Sequence, residues 1–587
     1  MSARELITEH LDLWTGAVTQ KSTRGRGSNS KIELTGNKRL RELILELAVR
    51  GKLIEQNSGD DPASSLIAEV RNQRCALVGE RQLGKQTELS EVTNTEVPYQ
   101  LPKGWGWCRL GDLAEIIRGV TYKKHQVLDQ ATDNHIVLLR ANNIQETITD
   151  DALIYVPLEL VNDRQLITKG DILIAMSSGS ANLVGKAAQT NRDLQATFGA
   201  FCGAVRPLKQ KISSYLGLYM TTPLYRDQAQ ASGKGIGINN LNKKALNNML
   251  VPVPPEKEQH RIVQKVDELM ALCDRLEQQT SDQLEAHETL VDTLLDTLTQ
   301  SKNATELAEN WARLAAHFDT LFNTEQSIDK LKQTILQLAV MGRLVEQDAG
   351  DEPTEALLSK LADIKRQLIS QGLLKKERND YQVDKDEAPY EIPTNWRWCS
   401  LTDIGELARG KSKHRPRNDP ALYRNGTVPL IQTGDVARAA PRVTTFSAKY
   451  NRKGVEQSRL WKPGTLCITI AANIGDTGIL GFDACFPDSV VGFTPFDDSL
   501  KVEYFEYFLR TAKQHLEQFA PATAQKNINL DVLQKTLVPL PPSTEIARIV
   551  QKVDELMNLC DQLKERLNQT SETRHQLAEA VVEGALN

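Results

Sequence analysis

The segment Val251–Leu276 reads VPVPPEKEQHRIVQKVDELMALCDRL, and Val538–Leu563 repeats it as VPLPPSTEIARIVQKVDELMNLCDQL. The two copies are identical at 19 of 26 positions and lie 287 residues apart. A second matched pair, LRELILELAVRGKLIEQ from Leu40 and LKQTILQLAVMGRLVEQ from Leu331, lies 291 residues apart. Between these matched segments, which form the frame, lie two stretches of weak mutual similarity. We call these stretches the first insert (97–255) and the second insert (388–542).

Apolar residues in both copies of the repeated segment recur at alternating spacings of four and three. They form two seams: Ile262, Val266, Leu269, Cys273 and Leu276, and Ile549, Val553, Leu556, Cys560 and Leu563. This is the a/d spacing of a coiled coil. A Pro pair precedes each seam, so a long helix begins after it, and Glu256–Gln300 as one helix would be about 65 Å long. Packing on its own insert would also bury each seam, but equivalent placement favours the two long helices packing on each other.

The remaining frame carries helix signals of its own. Leu40–Val49 is amphipathic and is followed by Gly51, the residue type that ends helices. The ending A-V-x-G-x-L recurs at Ala339–Leu344, and Val581–Leu586 is a weaker third copy.

Each insert opens with Pro-Tyr…Trp-x-Trp-Cys, continues with β-rich runs separated by turns, and closes with a helical stretch, which indicates α+β units. A helix is also predicted over Arg4–Val18, followed by an exposed arm over Lys21–Lys31. The pattern divides the chain into an N-terminal helix and arm (1–36), a proximal helical region (37–96), the first insert (97–255), a central long-helix region (256–345), a helical repeat and linker (346–387), the second insert (388–542) and a C-terminal long helix (543–587).

Composition indicates a multidomain protein with no membrane span. The 587 residues exceed one core, no run of 18 apolar residues occurs, and the charged N-terminus lacks the apolar core of a signal peptide. The eight cysteines include no CxxC pair and are predicted to be small packing residues in a reducing compartment. We therefore expect a cytoplasmic protein.

Charge is divided unequally between inserts and frame. The net charge is −5, yet residues 110–250 carry 15 Lys and Arg against 12 Asp and Glu, and residues 401–537 carry 18 against 14. The frame therefore carries about −12. The basic part of the molecule is its inserts, which is typical of nucleic-acid contact.

One catalytic pattern occurs in the sequence. Gly405–Ser412 satisfies GxxxxGK[ST], the phosphate-binding loop of many ATPases. Pro416 and Pro420 follow and oppose the helix that such a loop requires, and the first insert lacks the pattern at the equivalent place. No methyltransferase, nuclease, hydrolase or metalloprotease signature is found, so no catalytic or metal-binding residue is predicted.

Polar and basic turns recur at equivalent places in both inserts. Lys and Arg suit phosphates, and Arg, Asn and Gln pair with base edges. Basic loops can simply be solvated, but recurrence in two divergent inserts favours DNA contact. The candidates are Arg118, Thr121, Tyr122, Lys123, Lys124, Arg140, Asn142, Asn143, Ser177, Ser178, Ser180, Lys186 and Lys234 in the first insert, and Arg409, Lys411, Lys413, His414, Arg415, Arg417, Gln432, Thr433, Asn473, Asp476, Thr477 and Lys526 in the second.

Across its whole length the chain resembles the specificity (S) subunits of type I restriction–modification enzymes. Their motif N-I/L-N…L…PLPP-x-x-EQ-x-x-IV is matched at Asn240–Val263 and Asn527–Val550. RGVTYKK, LLRANNI, AMSSGS and FGAFCG also look like one subgroup of first recognition domains. Ile546 departs from the motif, which has the Gln kept at Gln259, and this change is expected to weaken a hydrogen bond at the helix start without touching the recognition face.

The resemblance implies two α+β target-recognition domains in a tandem pseudo-twofold repeat, joined by long antiparallel coiled-coil helices. It implies a non-catalytic DNA-recognition subunit of a host-defence complex. Two methyltransferase (M) and two restriction (R) subunits would be its partners, and S-adenosylmethionine, ATP and Mg²⁺ would belong to them. If the helices hold the half-site centres one helical turn apart, the centres lie about 10 base pairs apart. Half-sites of about 3–4 base pairs then leave an unread spacer of about 6–7 base pairs.

The residues Ile262, Val266, Leu269 and Leu276, with Ile549, Val553, Leu556 and Leu563, would then form the spacer and partner-binding helices. Two alternatives remain at the sequence level. One is an enzyme that binds ATP at Gly405–Ser412. The other is a coiled-coil scaffold that binds protein only.

Overall fold

The computed structural model describes residues 10–16, 19–21, 31–84, 89–178, 183–233, 239–302, 304–375, 388–439, 441–518 and 528–586. The chain forms two compact units, one of Met1–Gln283 with Thr570–Asn587 and one of Leu284–Gln569. Each unit contains one insert, the first part of one long helix and the end of the other.

The helices of the frame and of the inserts have the following bounds: α1 Leu11–Gly16, α2 Thr35–Val49, α3 Ala63–Gly79, α4 Leu110–Leu113, α5 Ser213–Tyr219, α6 Pro223–Gly233, α7 Lys243–Asn248, α8 Glu256–Gln300, α9 Ala304–Ala316, α10 Phe318–Leu321, α11 Glu325–Val340, α12 Thr354–Ser370, α13 Leu401–Ile404, α14 Thr433–Ala437, α15 Arg452–Glu456, α16 Val502–Gln518, α17 Leu530–Lys535 and α18 Ser543–Leu586. The prediction of one continuous helix over Glu256–Gln300 is confirmed. None of the helices in the described part of the chain is long and apolar enough to span a membrane.

The strands of the first unit are β1 Thr19–Lys21, β2 Lys31–Glu33, β3 Gly106–Arg109, β4 Ala114–Arg118, β5 His135–Leu139, β6 Ile154–Pro157, β7 Ile172–Ala175, β8 Ser177–Ser178, β9 Ala187–Gln189, β10 Ala196–Phe198, β11 Cys202–Pro207, β12 Asn239–Asn240 and β13 Leu250–Val253. Those of the second unit are β14 Arg397–Ser400, β15 Gly405–Arg409, β16 Val428–Leu430, β17 Arg442–Val443, β18 Ala448–Tyr450, β19 Leu460–Trp461, β20 Leu466–Thr469, β21 Thr477–Leu480, β22 Ala484–Cys485, β23 Val490–Pro495 and β24 Leu537–Leu540.

Each insert holds two larger sheets, besides two-stranded ones. The first has the orders β4-β11-β7-β9 and β10-β5-β6, and the second has β15-β23-β20-β21-β17 and β18-β16-β22-β19. The opening strand of each insert pairs antiparallel with its closing strand, β3 with β13 and β14 with β24. The predicted α+β class is confirmed.

In the first unit, three helical segments form a bundle. Asn37 Nδ2 donates to the Cys273 carbonyl at 2.9 Å, while the Arg50 side chain donates to the Leu586 carbonyl at 3.4 Å and the Arg39 side chain pairs with Glu579 at 3.4 Å. Gln56, after α2, donates to Glu258 at the start of α8 at 2.7 Å, so α2 runs antiparallel to the first part of α8, and it runs parallel to the end of α18. These two long-helix segments are antiparallel, as predicted.

The second unit repeats the arrangement around α11. Lys564 pairs with Asp329 at 3.0 Å, Lys330 pairs with Asp292 at 2.6 Å, and the Arg343 side chain donates to the Thr299 carbonyl at 2.6 Å. Helix α11 is thus antiparallel to the first part of α18 and parallel to the end of α8.

The seams are buried in two apolar cores. Ile262, Val266, Leu269 and Cys273 are buried in one core with the apolar face of α2, and Ile549, Val553 and Cys560 are buried in another with α11. Leu556 and Leu563 are partly buried against that second core, and Leu276 is half-buried. The end of the other long helix is part of each core, with Ala578 of α18 in the first and Val291, Leu295 and Leu298 of α8 in the second. The long helices therefore share apolar cores as predicted, but α2 and α11 also cover the seams, which was not predicted.

Gly51 ends α2 as predicted. Its φ is +67°, and the N–H of Lys52 donates to the Leu47 carbonyl at 2.9 Å. Gly342 ends α11 in the same way with φ +71°. This left-handed conformation favours glycine because it carries no Cβ.

A buried carboxylate attaches each insert to its long helix. Glu258, at the start of α8, is 1% exposed and accepts hydrogen bonds from Trp105 Nε1 at 3.1 Å and Gln56 Nε2 at 2.7 Å. In the second unit Glu545 accepts from Trp396 Nε1 at 3.0 Å and from Gln347. We call each set of three residues a junction.

The N-terminal predictions are only partly covered. Of the predicted helix over Arg4–Val18, the described part is α1, whose Trp14 is fully buried. Strands β1 and β2 pair antiparallel, and residues 22–30 of the predicted arm lie outside the described residues.

The departure at Ile546 has the expected consequence. Gln259 Nε2 donates to the Pro254 carbonyl at 2.9 Å, whereas Ile546 is fully buried in the apolar core of the second unit. The second helix start therefore replaces a hydrogen bond with apolar packing.

Candidate nucleic-acid interface

Four loops of the first insert meet at one edge. Arg118, the last residue of β4, pairs with Gly203, and Cys202 at the start of β11 pairs with Ala175 at the end of β7. Phe198 at the end of β10 pairs with Leu139 at the end of β5, and Val120 forms a bridge to Gly199. Loops 119–124, 140–145, 176–178 and 199–201 therefore lie together, and we call them the first loop edge.

The second insert builds an equivalent edge from residues that share little sequence. Arg409 at the end of β15 pairs with Val491, and Val490 pairs with Thr469 at the end of β20. The N–H of Ile431 donates to the Cys485 carbonyl at 2.9 Å. Loops 410–417, 431–435, 471–476 and 486–489 form this second loop edge.

Exposed cations stand at equivalent places on both edges. Arg118 and Lys124 on the first, and Arg409, Lys411 and Lys413 on the second, are exposed. Among the described residues, none accepts a hydrogen bond from these side chains or forms an ion pair with them. Such uncompensated charge is available to phosphate groups. Lys123 is likewise exposed.

Other predicted cations have partners within the chain. The half-buried Arg140 donates to the Ala152 carbonyl at 2.8 Å, and Lys186 Nζ donates to Gln145. Arg417 pairs with Asp488 at 2.6 Å, and the Arg415 guanidinium donates to the His414 carbonyl at 2.9 Å. These hydrogen bonds and ion pairs stabilise the loops. Each side chain would have to release its partner in order to bind a phosphate.

His414 belongs to a small hydrogen-bonded turn. Its Nε2 lies 2.6 Å from Asp419 Oδ2, and the N–H groups of Lys413 and His414 donate to Gln457 Oε1 at 2.7 and 3.0 Å. The N–H of Ala421 and the His414 ring hold the pKa of Asp419 below its usual value. These hydrogen bonds to Gln457 and Asp419 therefore fix the turn that carries Lys411 and Lys413.

Three predicted contacts are held by hydrogen bonds or ion pairs within their insert. Asn143 is fully buried, accepts from the Arg140 N–H, and donates to the carbonyls of Thr149 at 3.2 Å and Asp151 at 2.7 Å. Thr477 is buried and donates to Glu506 at 3.2 Å, and Asp476 pairs with Lys513 at 2.5 Å. The prediction that Asn143 and Thr477 contact DNA directly is therefore corrected, because their polar atoms are used to fix the loops.

The remaining predicted residues are mostly accessible. Thr121, Asn142, Gln432 and Asn473 are exposed, and Tyr122 and Thr433 are half-buried. Ser177 donates to Asn240 Oδ1 at 2.7 Å. Ser178 lies in β8. Ser180, Lys234, Lys526 and the side chain of Ser178 lie outside the described residues.

Sequence reasoning missed Phe201 and the junctions. Phe201 lies on the first loop edge and is 67% exposed. An aromatic residue in the turn of FGAFCG was its only sequence signal. The repeated Trp and the Glu of the PPxxE stretch are sequence signals of the junctions. The hydrogen bond between the two residues could not be predicted without the fold.

Gly405–Ser412 is not a phosphate-binding loop. Gly405–Arg409 forms β15, which pairs antiparallel with β23, and a Cβ at Gly405 would lie 2.6 Å from the Thr494 carbonyl oxygen. In the described part of the chain, no group of three His, Cys, Asp or Glu residues could hold a metal ion. Burial raises the pKa of the Cys108 and Cys202 thiols to about 12, so these thiols are packing groups, whereas Cys75 is exposed.

The chain matches the family model of the type I restriction modification DNA specificity domain twice, at residues 102–286 and 393–572. It is 34% identical to the type I restriction enzyme EcoEI specificity subunit of Escherichia coli, with complete coverage of both chains. It is also 34% identical to the EcoAI specificity subunit of Escherichia coli, again over the full length of both. A chain in a solved structure of a type I R-M system is 19% identical, with a TM-score of 0.48 and coverage of 84% of this chain and 99% of that one.

The two family matches each include one loop edge, one closing strand and the start of one long helix, and the full-length relatives are specificity subunits rather than enzymes of other classes. The protein belongs to the family of type I restriction–modification DNA specificity subunits.

Proposed function

We propose that each insert reads one half of a bipartite, asymmetric DNA site, and that the frame fixes the spacer and docks methyltransferase subunits. The observation that carries this proposal is the pair of equivalent loop edges with exposed cations on inserts that otherwise diverge. A duplicated scaffold with divergent loops is what two different half-sites require.

The electrostatics of the edges suit a duplex. Arg118 is the last residue of β4, which pairs with β11, and Arg409 is the last residue of β15, which pairs with β23. The two arginines therefore occupy equivalent positions. Each is exposed beside further Lys residues, and the acidic frame supplies the opposite charge elsewhere. Lysine and arginine contacts to phosphate give affinity, and their salt dependence scales with the number of phosphates neutralised.

Accessible polar groups supply the means of reading bases. Asn142 on the first edge and Gln432 and Asn473 on the second are exposed. Their amides can donate and accept at once, which suits the donor and acceptor pattern of adenine in the major groove. The hydrogen bonds of Asn143 and Asp435 hold the neighbouring backbone in place for these residues.

Membership of the family supports a wider complex. We propose that two M subunits bind the frame helices, that two R subunits join them for cleavage, and that S-adenosylmethionine, ATP and Mg²⁺ are bound by those partners. This chain then has a recognition role without catalysis. A protein-only scaffold is the second candidate, but it gives no reason for unpaired cations at equivalent places on both edges.

A segment exchange tests the proposal. Residues 101–251 are replaced by those of a relative with a different target, and the methylated site of the complex is mapped. One half-site should change to that of the relative, while the other half-site and the spacer length stay the same. Change in both half-sites, or in neither while the complex assembles normally, would contradict the two-reader model.

A further inference from the structure

Phe201 is an exposed aromatic side chain among the cations and polar groups of the first loop edge. It is 67% exposed, and it is the one aromatic residue among the large exposed apolar side chains of the described residues. Burial of such a side chain stabilises a fold. In the free chain this stabilisation is forgone.

The backbone of Phe201 is held firmly between strand ends. Its carbonyl accepts hydrogen bonds from the N–H groups of Met176 at 2.8 Å and Ser177 at 3.1 Å, and the N–H of Cys202 donates to the Gly199 carbonyl at 2.7 Å. Two residues further on, Gly203 pairs with Arg118. The ring is therefore presented from a fixed turn, two residues before the position that pairs with Arg118, whose side chain is exposed.

The second insert has a different residue at the same place. The N–H of Ile470 donates to the Ser489 carbonyl at 3.1 Å, and the N–H of Val490 donates to the Pro487 carbonyl at 3.1 Å. These bonds are the counterparts of those around Phe201, so Ser489 is its equivalent, and it is half-buried. The turn is conserved between the inserts, but its side chain is apolar and exposed in only one of them.

We infer that Phe201 is a specificity-determining residue of the first insert, and that its ring packs on the C5-methyl group of a thymine in the first half-site. This inference rests on the proposed function. Thymine is the base that presents an apolar group in the major groove, and apolar side chains recognise it there. The neighbouring Arg118 and Lys124 hold the duplex by its phosphates, which brings the base edge to the ring.

The test uses the full chain in complex with its methyltransferase partner and a duplex that carries its mapped site. Each thymine of the first half-site is replaced in turn by deoxyuridine, which removes only the methyl group, and the Kd is measured at one fixed salt concentration. For the wild type, one replacement should weaken binding about fourfold, the effect of exposing one methylene-sized group. Phe201→Ala should weaken binding to the unmodified site about fivefold or more and should be insensitive to that replacement.

Two further variants separate the possible outcomes. Phe201→Ser introduces the residue of the second insert and should behave as Phe201→Ala does. Leu158→Ala is the matched control, because Leu158 is 52% exposed and follows β6 at the opposite end of the β5–β6 pair, and it should bind as the wild type does.

The inference is overturned if no deoxyuridine replacement affects the wild type, or if Phe201→Ala remains as sensitive as the wild type. Equal loss on unrelated DNA, or loss of assembly with the partner, would also overturn it, the latter by assigning the ring to a protein contact. If Arg118→Ala weakens specific binding but Phe201→Ala does not, this inference alone fails. If neither affects binding, the proposed function fails with it.

Discussion

Replacing Glu258 by Ala is expected to loosen the first insert from the long helix α8. The carboxylate is 1% exposed, and its two oxygens accept from Trp105 Nε1 at 3.1 Å and Gln56 Nε2 at 2.7 Å. Removal of the carboxylate leaves the Trp105 N–H and the Gln56 amide without their acceptor, which costs about 1–3 kcal/mol for each donor that stays buried. We therefore expect Glu258→Ala to lower the local free energy of unfolding by about 2–4 kcal/mol.

The assay is amide hydrogen exchange, which reports the opening of individual segments. Protection should fall in β3 and β13, which connect the insert to the junction, while the second unit should be unaffected. The control is Glu268→Ala on the same helix, whose exposed carboxylate pairs with Lys265 three residues earlier. That pair should contribute at most about 0.5 kcal/mol. Unchanged protection in Glu258→Ala, or the same loss in both variants, would refute the junction's role.

The pH dependence has a defined sign. Burial raises the pKa of Glu258, against the hydrogen bonds from Gln56 and Trp105 and the charge of Arg261. The native state then binds the proton more tightly than the unfolded state, whose Glu titrates at about 4.3. The stabilisation is fully present below that value and is lost as pH rises through the raised native pKa. Relative to Glu258→Gln, the wild type should therefore become less stable as pH rises across that window.

Three further predictions concern the seam and the loop edges. Leu269→Asp places a charge in a 7% exposed seam position and should lower the thermal midpoint of the protein, whereas Leu290→Asp, at a 50% exposed position of the same helix, should not. Asn143→Ala removes hydrogen bonds to two carbonyls and one N–H, and it should destabilise loop 140–151 by about 2–3 kcal/mol and weaken first half-site binding; unchanged hydrogen exchange in that loop would argue against this. Lys411→Ala should reduce the slope of log K against log salt by about 1 without altering base preference; altered preference would assign it to a base.

The sequence predicted those parts of the fold that depend on repetition and periodicity. The long helix Glu256–Gln300, the glycine cap at Gly51 and the α+β inserts follow from local spacing and residue type. The sequence did not predict that α2 and α11 cover the seams, because an apolar stripe shows only that a face of a helix is buried. Helix α2 has an apolar stripe of its own that packs on the seam of α8. The spacing of apolar residues within one helix does not show which other stripe that helix contacts.

For the candidate site, the sequence predicted where the loops lie but not which side chains are exposed. Turns rich in Lys, Arg and Asn were placed correctly at strand ends, since β-rich runs alternate with turns in the sequence. Whether a polar side chain faces outward depends on its hydrogen-bond partners. Asn142 and Asn143 are adjacent and chemically identical, yet only Asn142 is exposed, because Asn143 meets the carbonyls of Thr149 and Asp151. Phe201 was missed because an aromatic residue in a glycine-flanked turn is equally typical of a core.

Reciprocal single substitutions at the two edges test the central claim most directly. Arg118→Ala and Arg409→Ala are each assembled with the methyltransferase partner, and binding is measured on duplexes with one half-site randomised at a time. Arg118→Ala should weaken binding on duplexes that keep the half-site of the first insert and have little effect where that half-site is randomised, and Arg409→Ala should do the same for the other half-site, with assembly unchanged. Equal effects of both variants on both half-sites would contradict the claim that each insert reads its own.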